Sequence, residues 1–306
     1  MELLTILNEN EEVIGEKDIK KIYKDGDIHY TVHIFIINDK NEILLQKRNK
    51  NKETFPGLWA ISAAGHVKAK EEPIDACIRE LKEELDQNIK SEELEYLFTV
   101  RRKDEQNGNK INTFDKIYLL RKNIKDIKIQ KEELSKTKYV PLIEYKKSLN
   151  DEDKAYVPKG SEHDRLFDLL IPLSETTTEY TYELYKDLAV YTERHSLKNY
   201  SMPLIILILG IALKGWFFYF SFFIAVSLLL TIDQRAIKKA QNLYKIIGTD
   251  KTHKEKYIFY KDHFQVNKSK IAFNQLYKIV KRKNVIYLFI NKKQAFIVEN
   301  NPTIVL

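Results

Sequence analysis

Glu80, Glu83 and Glu84 are the residues whose type and spacing most directly indicate chemistry in this sequence. Positions i, i+3 and i+4 share one face of a helix, so these carboxylates crowd together and repel by roughly 0.2–0.5 kcal/mol per pair. A hard divalent cation such as Mg²⁺ takes carboxylate oxygens as ligands and also binds phosphates. The spacing therefore predicts a metal-assisted phosphate site, with a solvated acidic helix face as the alternative.

The helix that carries these glutamates is predicted to begin near Pro73, because proline is favoured in the first helical turn. Its apolar residues recur at helical spacing and form one stripe that must face a core: Ile74, Cys77, Ile78, Leu81 and Leu85. The glutamates lie about 120° from that stripe, at roughly 100° per residue. They are thus expected at the border between core and solvent.

The residues around this helix fall in register with a known signature. The pattern G-x5-E-x7-R-E-U-x-E-E-x-G-U, in which U is a bulky aliphatic residue, is matched at seven positions: Gly65, Glu71, Arg79, Glu80, Leu81, Glu83 and Glu84. The region from about residue 28 to 170 thereby resembles the Nudix hydrolase family. It looks most like the branch related to type I isopentenyl-diphosphate isomerases, which share T-F-P-G-x-W, here Thr54 to Trp59, and the His29 to Asn38 spacing.

The resemblance implies a Nudix α/β/α sandwich and a role for each matched residue. Mg²⁺, with Mn²⁺ as the alternative ion, would be held by Glu80, Glu83, Glu84 and the backbone carbonyl of Gly65. Either Glu83 or Glu84 would act catalytically as the base for an attacking water. Glu71 and Arg79 would pair and fix the motif structurally. The substrate class implied is a small molecule that contains a diphosphate.

Departures from the family pattern bear on the reaction. Asp86 replaces the motif glycine at the helix end, and Gln87 replaces the last aliphatic residue. Ala64 stands where the isomerases have a proton-transferring cysteine, while Cys77 lies on the core stripe. Thr113 stands in place of a downstream acid of the isomerases. Hydrolysis, which needs neither missing group, is therefore expected ahead of isomerisation.

Four further residues are candidate substrate contacts. His29 and His66 match metal-binding histidines of the isomerases, although a histidine in a strand is also commonly an ordinary hydrogen-bonded residue. Lys47 and Arg48 end a predicted strand and could meet substrate phosphates, with a basic strand end in water as the alternative.

The order of elements along the chain predicts an α+β fold. Two strands with the turn Asn38 to Asn41 between them form a hairpin over residues 28–48, and later strands mix with helices without regular alternation. Four segments are expected: a Nudix domain at 1–172, a helical linker at 173–199, a transmembrane hairpin at 200–232 and a small α+β domain at 233–306.

The segment from Tyr200 to Ile232 is apolar and carries one charge, Lys214, so it is long enough to enter a bilayer. Lys214 and Gly215 are typical of a turn. Basic residues flank both ends of the segment, so the positive-inside rule places both soluble parts in the cytoplasm and favours a two-pass hairpin over one long helix. Residues from about 178 to 301 also resemble the small YcxB-like membrane family, which implies tethering or sensing.

The charge is unevenly distributed along the chain. Residues 233–306 hold 16 Lys or Arg against 5 Asp or Glu, whereas the whole chain has a formal charge of +7. Attraction to anionic lipid headgroups is one interpretation and a solvated lysine-rich surface is the other. No nucleic-acid recognition motif accompanies the charge, so no nucleic-acid partner is expected. One cysteine excludes an internal disulfide and agrees with a reducing compartment.

The sequence thus predicts a membrane-tethered, Mg²⁺-dependent hydrolase that cleaves the diphosphate of a nucleoside diphosphate linked to another group. Two alternatives stay open: an isopentenyl-diphosphate-isomerase-like enzyme, and a non-catalytic, membrane-anchored ligand sensor.

Overall fold

A computed structural model describes residues 2–106, 108–213, 215–247, 253–292, 294–300 and 304. The chain divides into two compact units, Met1–Phe167 and Asp168–Leu306. The division falls inside a helix, a few residues before the boundary predicted at residue 172.

The first unit contains nine strands and four helices within its described residues. The strands are β1 (Leu3–Leu7), β2 (Val13–Asp18), β3 (Ile28–Ile37), β4 (Glu42–Arg48), β5 (Trp59–Ala60), β6 (Ala63–His66), β7 (Leu94–Gln106), β8 (Asn109–Arg121) and β9 (Leu134–Pro141). The helices are α1 (Ile19–Asp25), α2 (Pro73–Leu85), α3 (Leu142–Asn150) and α4 (Ser161–Leu170), with a 3₁₀ turn at Ser91–Glu93.

Strand β3 is the centre of the sheet in this unit. It pairs in parallel with β8, from His29 opposite Thr113 to Ile37 opposite Arg121. It pairs antiparallel with β6, and it meets β4 only at its end, where Ile37 lies opposite Ile43. β4 then continues beside β9, so the sheet opens between β3 and β4.

The predicted β3–β4 hairpin is confirmed, and its turn has a local cause. The Asn38 side-chain oxygen accepts hydrogen bonds from the backbone N–H groups of Lys40 and Glu42, at 3.0 and 2.9 Å. Asn41 takes a positive φ of 57°, a conformation that asparagine tolerates better than most residues.

Helices cover both faces of the sheet, which gives the α+β sandwich that the sequence predicts. On one face the buried side chains of Val32, Ile34 and Ile36 pack against Cys77 and Leu81 of α2. On the other face the Phe35 ring contacts His163 of α4, and Tyr145 of α3 contacts Phe167 of α4. Odd- and even-numbered residues of β3 thus serve opposite faces, as a strand requires.

Helix α2 begins at Pro73, as predicted, and ends at Leu85, with Asp86 as its C-cap. Asp86 adopts a left-handed conformation with φ of 55°, and its backbone N–H reaches the carbonyl oxygens of Leu81 and Lys82. Its carboxylate also pairs with the ammonium of Lys82 one turn earlier. The replacement of the motif glycine is therefore accommodated in an intact helix cap.

The second unit contains seven strands and three long helices within its described residues. The strands are β10 (Ser174–Tyr180), β11 (His253–Phe259), β12 (His263–Val266), β13 (Ser269–Ala272), β14 (Lys278–Lys281), β15 (Val285–Phe289) and β16 (Ala295–Glu299). The helices are α5 (Tyr182–Arg194), α6 (Lys198–Leu213) and α7 (Trp216–Ile247). The strands form one four-stranded and one three-stranded antiparallel sheet.

Two predicted segment bounds in this unit were wrong. The segment 173–199, predicted to be a helical linker, begins with β10, whose Thr-rich sequence suits a strand and pairs with β11. The boundary predicted between residues 232 and 233 falls inside α7, which runs without glycine or proline from Trp216 to Ile247. Among the described residues that follow α7, the helical element is a 3₁₀ turn, Phe273–Gln275.

One helix, counted from Trp216 to Lys245, is long and apolar enough to cross a membrane by length and composition. α6 has only 16 residues and is interrupted by Pro203, so it passes that test only when joined to α5 across a 42° bend. α6 and α7 run antiparallel and close together, since a Cβ on Gly210 would lie 2.5 Å from the Cβ of Ser221. The turn between them includes Gly215 at φ of +63°, while Lys214 lies outside the described residues.

Candidate active site

The three glutamates of α2 lie at the wall of one large cleft of about 2530 Å³ in the first unit. Their side chains differ in burial because they lie at different distances from the core around the helix. The side chain of Glu83 is 47% exposed and that of Glu80 is 13% exposed, whereas Glu84 is almost fully buried. The structure thus brings the predicted carboxylates to one site but in three different environments.

Arg79 ties α2 to the loop that follows β6. Its Nε and Nη2 donate to the two carboxylate oxygens of Glu71 at 2.8 and 3.0 Å, and Nη2 also donates to the His66 carbonyl at 2.9 Å. Glu71 in turn accepts the backbone N–H of Lys68 at 2.8 Å. This paired, two-bond geometry is the strong form of an arginine–carboxylate contact, and it fixes the loop on the helix.

The remaining nitrogen of Arg79 is directed at the glutamate cluster. Nη1 donates to Glu80 Oε1 at 2.5 Å and to Glu83 Oε2 at 3.3 Å. Burial raises the pKa of Glu80, although Arg79 partly opposes that effect. Arg79 therefore provides the positive charge that compensates two of the three carboxylates in this structure.

Gly65 is where the strand β6 meets the glutamates. A Cβ built on Gly65 would lie 1.9 Å from Oε1 of Glu80 and 2.1 Å from its carboxyl carbon. Any side chain here would displace Glu80, so the glycine is required by close approach and not by an unusual φ.

Glu84 is the most perturbed of the three. Burial, followed by the negative charges of Glu80 and Glu133, raises its pKa to about 8. Its side chain accepts hydrogen bonds from Nε2 of Gln46, at 3.3 Å, and from the backbone N–H of Ala64, and no ion pair with a positive side chain is present among the described contacts. A buried carboxyl in this state gains most from a nearby cation.

Gln46 was missed from the sequence. It lies on β4 with 2% of its surface exposed, and its Oε1 has no hydrogen-bond partner among the described residues. The signal was available, because Gln46 follows Leu44 at strand spacing and so occupies an inward-facing position in EILLQKR.

The fit of this site to a divalent cation rests on its donor chemistry. Within the described residues, no three His, Cys, Asp or Glu side chains converge as a ready-made metal shell. The cause is local, since Glu80 is turned toward Arg79 and Glu83 extends toward solvent. Carboxylate oxygens beside an uncompensated buried Glu84 nevertheless suit a hard cation, and the residues fit one if Glu80 and Glu83 shift from Arg79.

The four candidate substrate contacts separate into two pairs. Arg48 and His66 line the cleft, but Lys47 and His29 do not belong to its described lining. Lys47 points to the opposite sheet face from Arg48, where its Nζ lies 5.5 Å from the centre of the Trp59 ring. Arg48 is anchored by two hydrogen bonds of 2.9 Å to the carbonyl and hydroxyl oxygens of Thr54.

His29 and His66 lie side by side, with ring centres 5.6 Å apart. His66 Nε2 is hydrogen-bonded to the Tyr23 hydroxyl at 2.7 Å, while Nε2 of His29 has no partner among the described residues. Burial lowers the pKa of both rings, that of His66 to about 3. Both histidines are therefore neutral near pH 7.

A second polar group in the cleft was not predicted. His33 of β3 and Glu162 of α4 are both buried, with Nδ1 and Oε1 3.4 Å apart. Burial alone would raise the pKa of Glu162, but His33 and then His163 lower it to about 2. Gly160 leaves room for this carboxylate, since a Cβ there would lie 2.2 Å from Glu162 Oε2.

Comparisons with known proteins agree with this geometry. The model of the NUDIX domain matches residues 27–159. A Nudix hydrolase of Listeria monocytogenes is 32% identical over 143 residues, 46% of this chain and 80% of that protein. Nudix hydrolase 3 of Arabidopsis thaliana is 35% identical over 168 residues, 52% of this chain but only 22% of that protein.

A more distant relative and a solved structure are also similar to parts of this chain. Isopentenyl-diphosphate Delta-isomerase 1 of Photorhabdus laumondii is 33% identical over 34% of this chain and 59% of that protein. A Deinococcus radiodurans crystal structure is 20% identical, with a TM-score of 0.42, and covers 56% of this chain and 99% of that one.

The α+β sandwich and the motif on α2 define a Nudix-type hydrolase. This chain belongs to the Nudix hydrolase family, with residues 27–159 as the matching domain.

Replacement of Gly65 by alanine tests the close approach of β6 to Glu80. We expect Gly65→Ala to displace the Glu80 carboxylate and to lower the free energy of unfolding by about 1–3 kcal/mol, as overpacking does. Gly15→Ala is the matched control, because its Cβ would meet only Ile6 carbons at 3.5 Å. Thermal unfolding of the full chain in detergent measures both. Equal melting temperatures for the two variants would contradict the predicted clash.

Glu162→Gln tests the buried pair with His33. We expect a loss of about 3 kcal/mol in unfolding free energy at pH 6, because a buried charge loses its partner. Since the folded-state pKa of Glu162 lies below its ordinary value of 4.5, its stabilising effect is present above about pH 4.5 and is lost as the pH falls toward 2.

The measurement is calorimetric unfolding of the parent and Glu162→Gln between pH 6 and pH 3.5. Exposed Glu144 of α3 provides the control variant, Glu144→Gln. A gap between the parent and Glu162→Gln that stays constant across this range would refute the assignment.

Proposed function

We propose that this chain is a Mg²⁺-dependent hydrolase that cleaves the diphosphate of a nucleoside diphosphate linked to another group, with Mn²⁺ as an alternative ion. The observation that carries the proposal is Glu84, a buried carboxyl without a positive partner, beside Glu80, Glu83 and Gly65 in one cleft. Cation binding at this point would satisfy the buried charge and bring phosphates to the same place.

The cleft lining mixes acidic and basic side chains. The acidic ones suit a bound cation, and the basic ones are available as contacts for the phosphates of a substrate. The basic side chains that line the cleft include Lys20, Arg48, Lys52, Lys68, Lys70 and Lys159.

The three glutamates would have different roles, ion binding or proton acceptance, according to their burial. A bound Mg²⁺ would screen the diphosphate and lower the pKa of a water molecule. Glu80 and Glu84, with the carbonyl of Gly65, would hold the ion. Glu83 has the most exposed carboxylate of the three, so it is the side chain placed to accept a proton from an attacking water. Arg79 and Glu71 would keep the helix and loop in register.

The isomerase alternative lacks support in the cleft. Ala64 lines the cleft where the isomerases have a cysteine. Cys77, the one cysteine of the sequence, is fully buried in the core between α2 and the sheet. Burial also raises the pKa of that thiol. No thiol is therefore placed for proton transfer to an isoprenoid, although identity to the isomerases reaches 33%.

Glu83→Gln and Glu84→Gln test the hydrolase proposal. Each variant should lower kcat by about 10²–10⁴, as the loss of an acid–base or ion-binding group does. Asp75→Asn, an exposed acid in the first turn of the same helix, should retain parent activity. Product formation from nucleoside diphosphate sugars, dinucleoside polyphosphates and isopentenyl diphosphate is followed by chromatography with Mg²⁺, Mn²⁺ or EDTA.

The outcomes separate the three functions. Equal product release by the parent, Glu83→Gln and Glu84→Gln would end the hydrolase proposal and leave a ligand sensor. Conversion of isopentenyl diphosphate to its isomer, without phosphate-ester products, would establish the isomerase. Glu84→Gln is expected to stay folded with an unchanged or raised melting temperature, because glutamine matches the size of the buried, protonated carboxyl that the raised pKa favours.

We further propose that α6 and α7 tether the chain to a membrane as a two-pass hairpin with both soluble parts in the cytoplasm. Large apolar side chains on these helices are exposed, among them Leu204, Ile208, Phe217, Phe223 and Leu230. A patch of this size is unfavourable in water and suits lipid. The basic residues before α6 and along the later part of α7 would stay on the cytoplasmic side, near anionic headgroups.

Cysteine labelling tests this topology. Trp216→Cys lies at the turn between the helices, and Lys268→Cys lies in the exposed turn after β12. A membrane-impermeant maleimide applied to spheroplasts should label position 216 and leave position 268 unlabelled until lysis. Native Cys77 is buried and serves as the internal unreactive reference. Labelling of position 268 from outside would instead establish one long crossing.

A further inference from the structure

Asp115 of β8 is a buried carboxylate that the proposed hydrolysis does not use. Only 1% of its surface is exposed, yet it lines the cleft. Its Oδ1 accepts hydrogen bonds from the hydroxyls of Thr31 and Thr113, at 2.6 and 2.5 Å. Its Oδ2 has no hydrogen-bond partner among the described residues. Such a buried acceptor is costly unless something else donates to it.

Two acidic groups and a histidine face one another near Asp115. Burial lowers the pKa of His33, but Asp115 and Glu162 outweigh that effect and raise it, with Arg102 opposing them. Burial lowers the pKa of His163, whose ring bonds to Gly160 and Tyr145. Two carboxylates in this part of the cleft favour ligand groups that donate hydrogen bonds over a second phosphate.

Asp115 and the glutamates line the same cleft. Thr31 and His33 alternate along β3 with Val32, which pairs with Gly65, against which Glu80 packs. The cleft that holds both groups has a volume of about 2530 Å³, well above the roughly 300–1,000 Å³ of an ordinary ligand pocket. A diphosphate at the glutamates would leave space for an attached group beside Asp115.

We propose that Asp115, presented by Thr31 and Thr113 and flanked by His33, forms a subsite that binds hydroxyl groups of a sugar-like substituent on the substrate diphosphate. The proposal rests on the function proposed above and deepens it by naming the attached group. A carboxylate accepts hydrogen bonds only, and hydroxyls on adjacent carbons supply donors without adding negative charge. The unpartnered Oδ2 is the acceptor that such a group satisfies.

Two matched probes test the subsite in the full-length protein with Mg²⁺: ADP-glucose and the methyl ester of ADP, which has the same diphosphate without sugar hydroxyls. The parent should prefer ADP-glucose in kcat/KM by about 10- to 100-fold, the usual range for hydrogen bonds to a charged group. Asp115→Asn keeps the shape but removes the charge, and it should reduce that preference about tenfold. Glu105→Gln, an exposed acid of the same cleft, should leave the preference within about twofold of the parent.

The outcomes distinguish the subsite from the activity. Equal kcat/KM for the two probes in the parent, or an unchanged preference in Asp115→Asn, overturns the subsite while hydrolysis stands. If neither probe is hydrolysed, the proposed function fails, and calorimetric binding of the two probes to the parent then decides the subsite, with equal affinity overturning it. A change in Mg²⁺ affinity in Asp115→Asn without a change in probe preference would make Asp115 an ion ligand and would also overturn the proposal.

Discussion

The guanidinium of Arg79 joins three parts of the first unit: β6, the loop that follows it, and α2. It pairs with both oxygens of Glu71, donates to the His66 carbonyl, and donates to Glu80 and Glu83 on its own helix. These contacts neutralise charge where the helix edge enters the protein, and they hold β6 close enough for Gly65 to touch Glu80. Without that anchor, repulsion among the glutamates and the cost of burying them would favour a looser loop.

The cleft beside this anchor contains two acidic groups with different environments. Glu84 is buried without an ion-pair partner, so its raised pKa favours the protonated form until a cation binds beside it. Glu162 is buried beside His33 and stays ionised. Glu84 is thus available to bind an ion, whereas Glu162 is already paired with His33. Basic side chains such as Arg48 and Lys68 also line this cleft and are available to contact an anionic substrate.

The second unit follows different physics. α6 and α7 approach closely because Gly210 and Ser221 present little side chain to each other, while large apolar residues point away from the pair. This arrangement, with small residues between the two helices and large apolar residues on their outer surfaces, suits a lipid environment. At the other end of the pair, Arg194 of α5 pairs with Asp233 of α7 and Lys239 pairs with Glu193, so charged contacts begin where the apolar surface ends.

Several elements of the first unit could be predicted from the sequence because they depend on interactions between residues that are close in the chain. Pro73 and the stripe through Cys77 and Leu81 were sufficient to place α2, since helix initiation and amphipathicity depend on residues only a turn or two apart. The β3–β4 hairpin followed from Asn38 to Asn41 for the same reason. Spacing alone also grouped Glu80, Glu83 and Glu84. It could not say that Arg79 would pair with two of them, nor that Glu84 would be buried.

Tertiary structure decided what depends on strands far apart in the chain. Thr31 meets Asp115 because β3 pairs with β8, and His33 meets Glu162 because α4 packs on that face of β3; no periodicity links residues so distant in sequence. β10 was mistaken for part of a helix because its partner, β11, lies beyond both apolar helices. The sequence by itself determined α2, the β3–β4 turn and the acidic motif, whose energies are local. The environment of each carboxylate was decided by non-local pairing, because burial and neighbouring charge exist only once the sheet has formed.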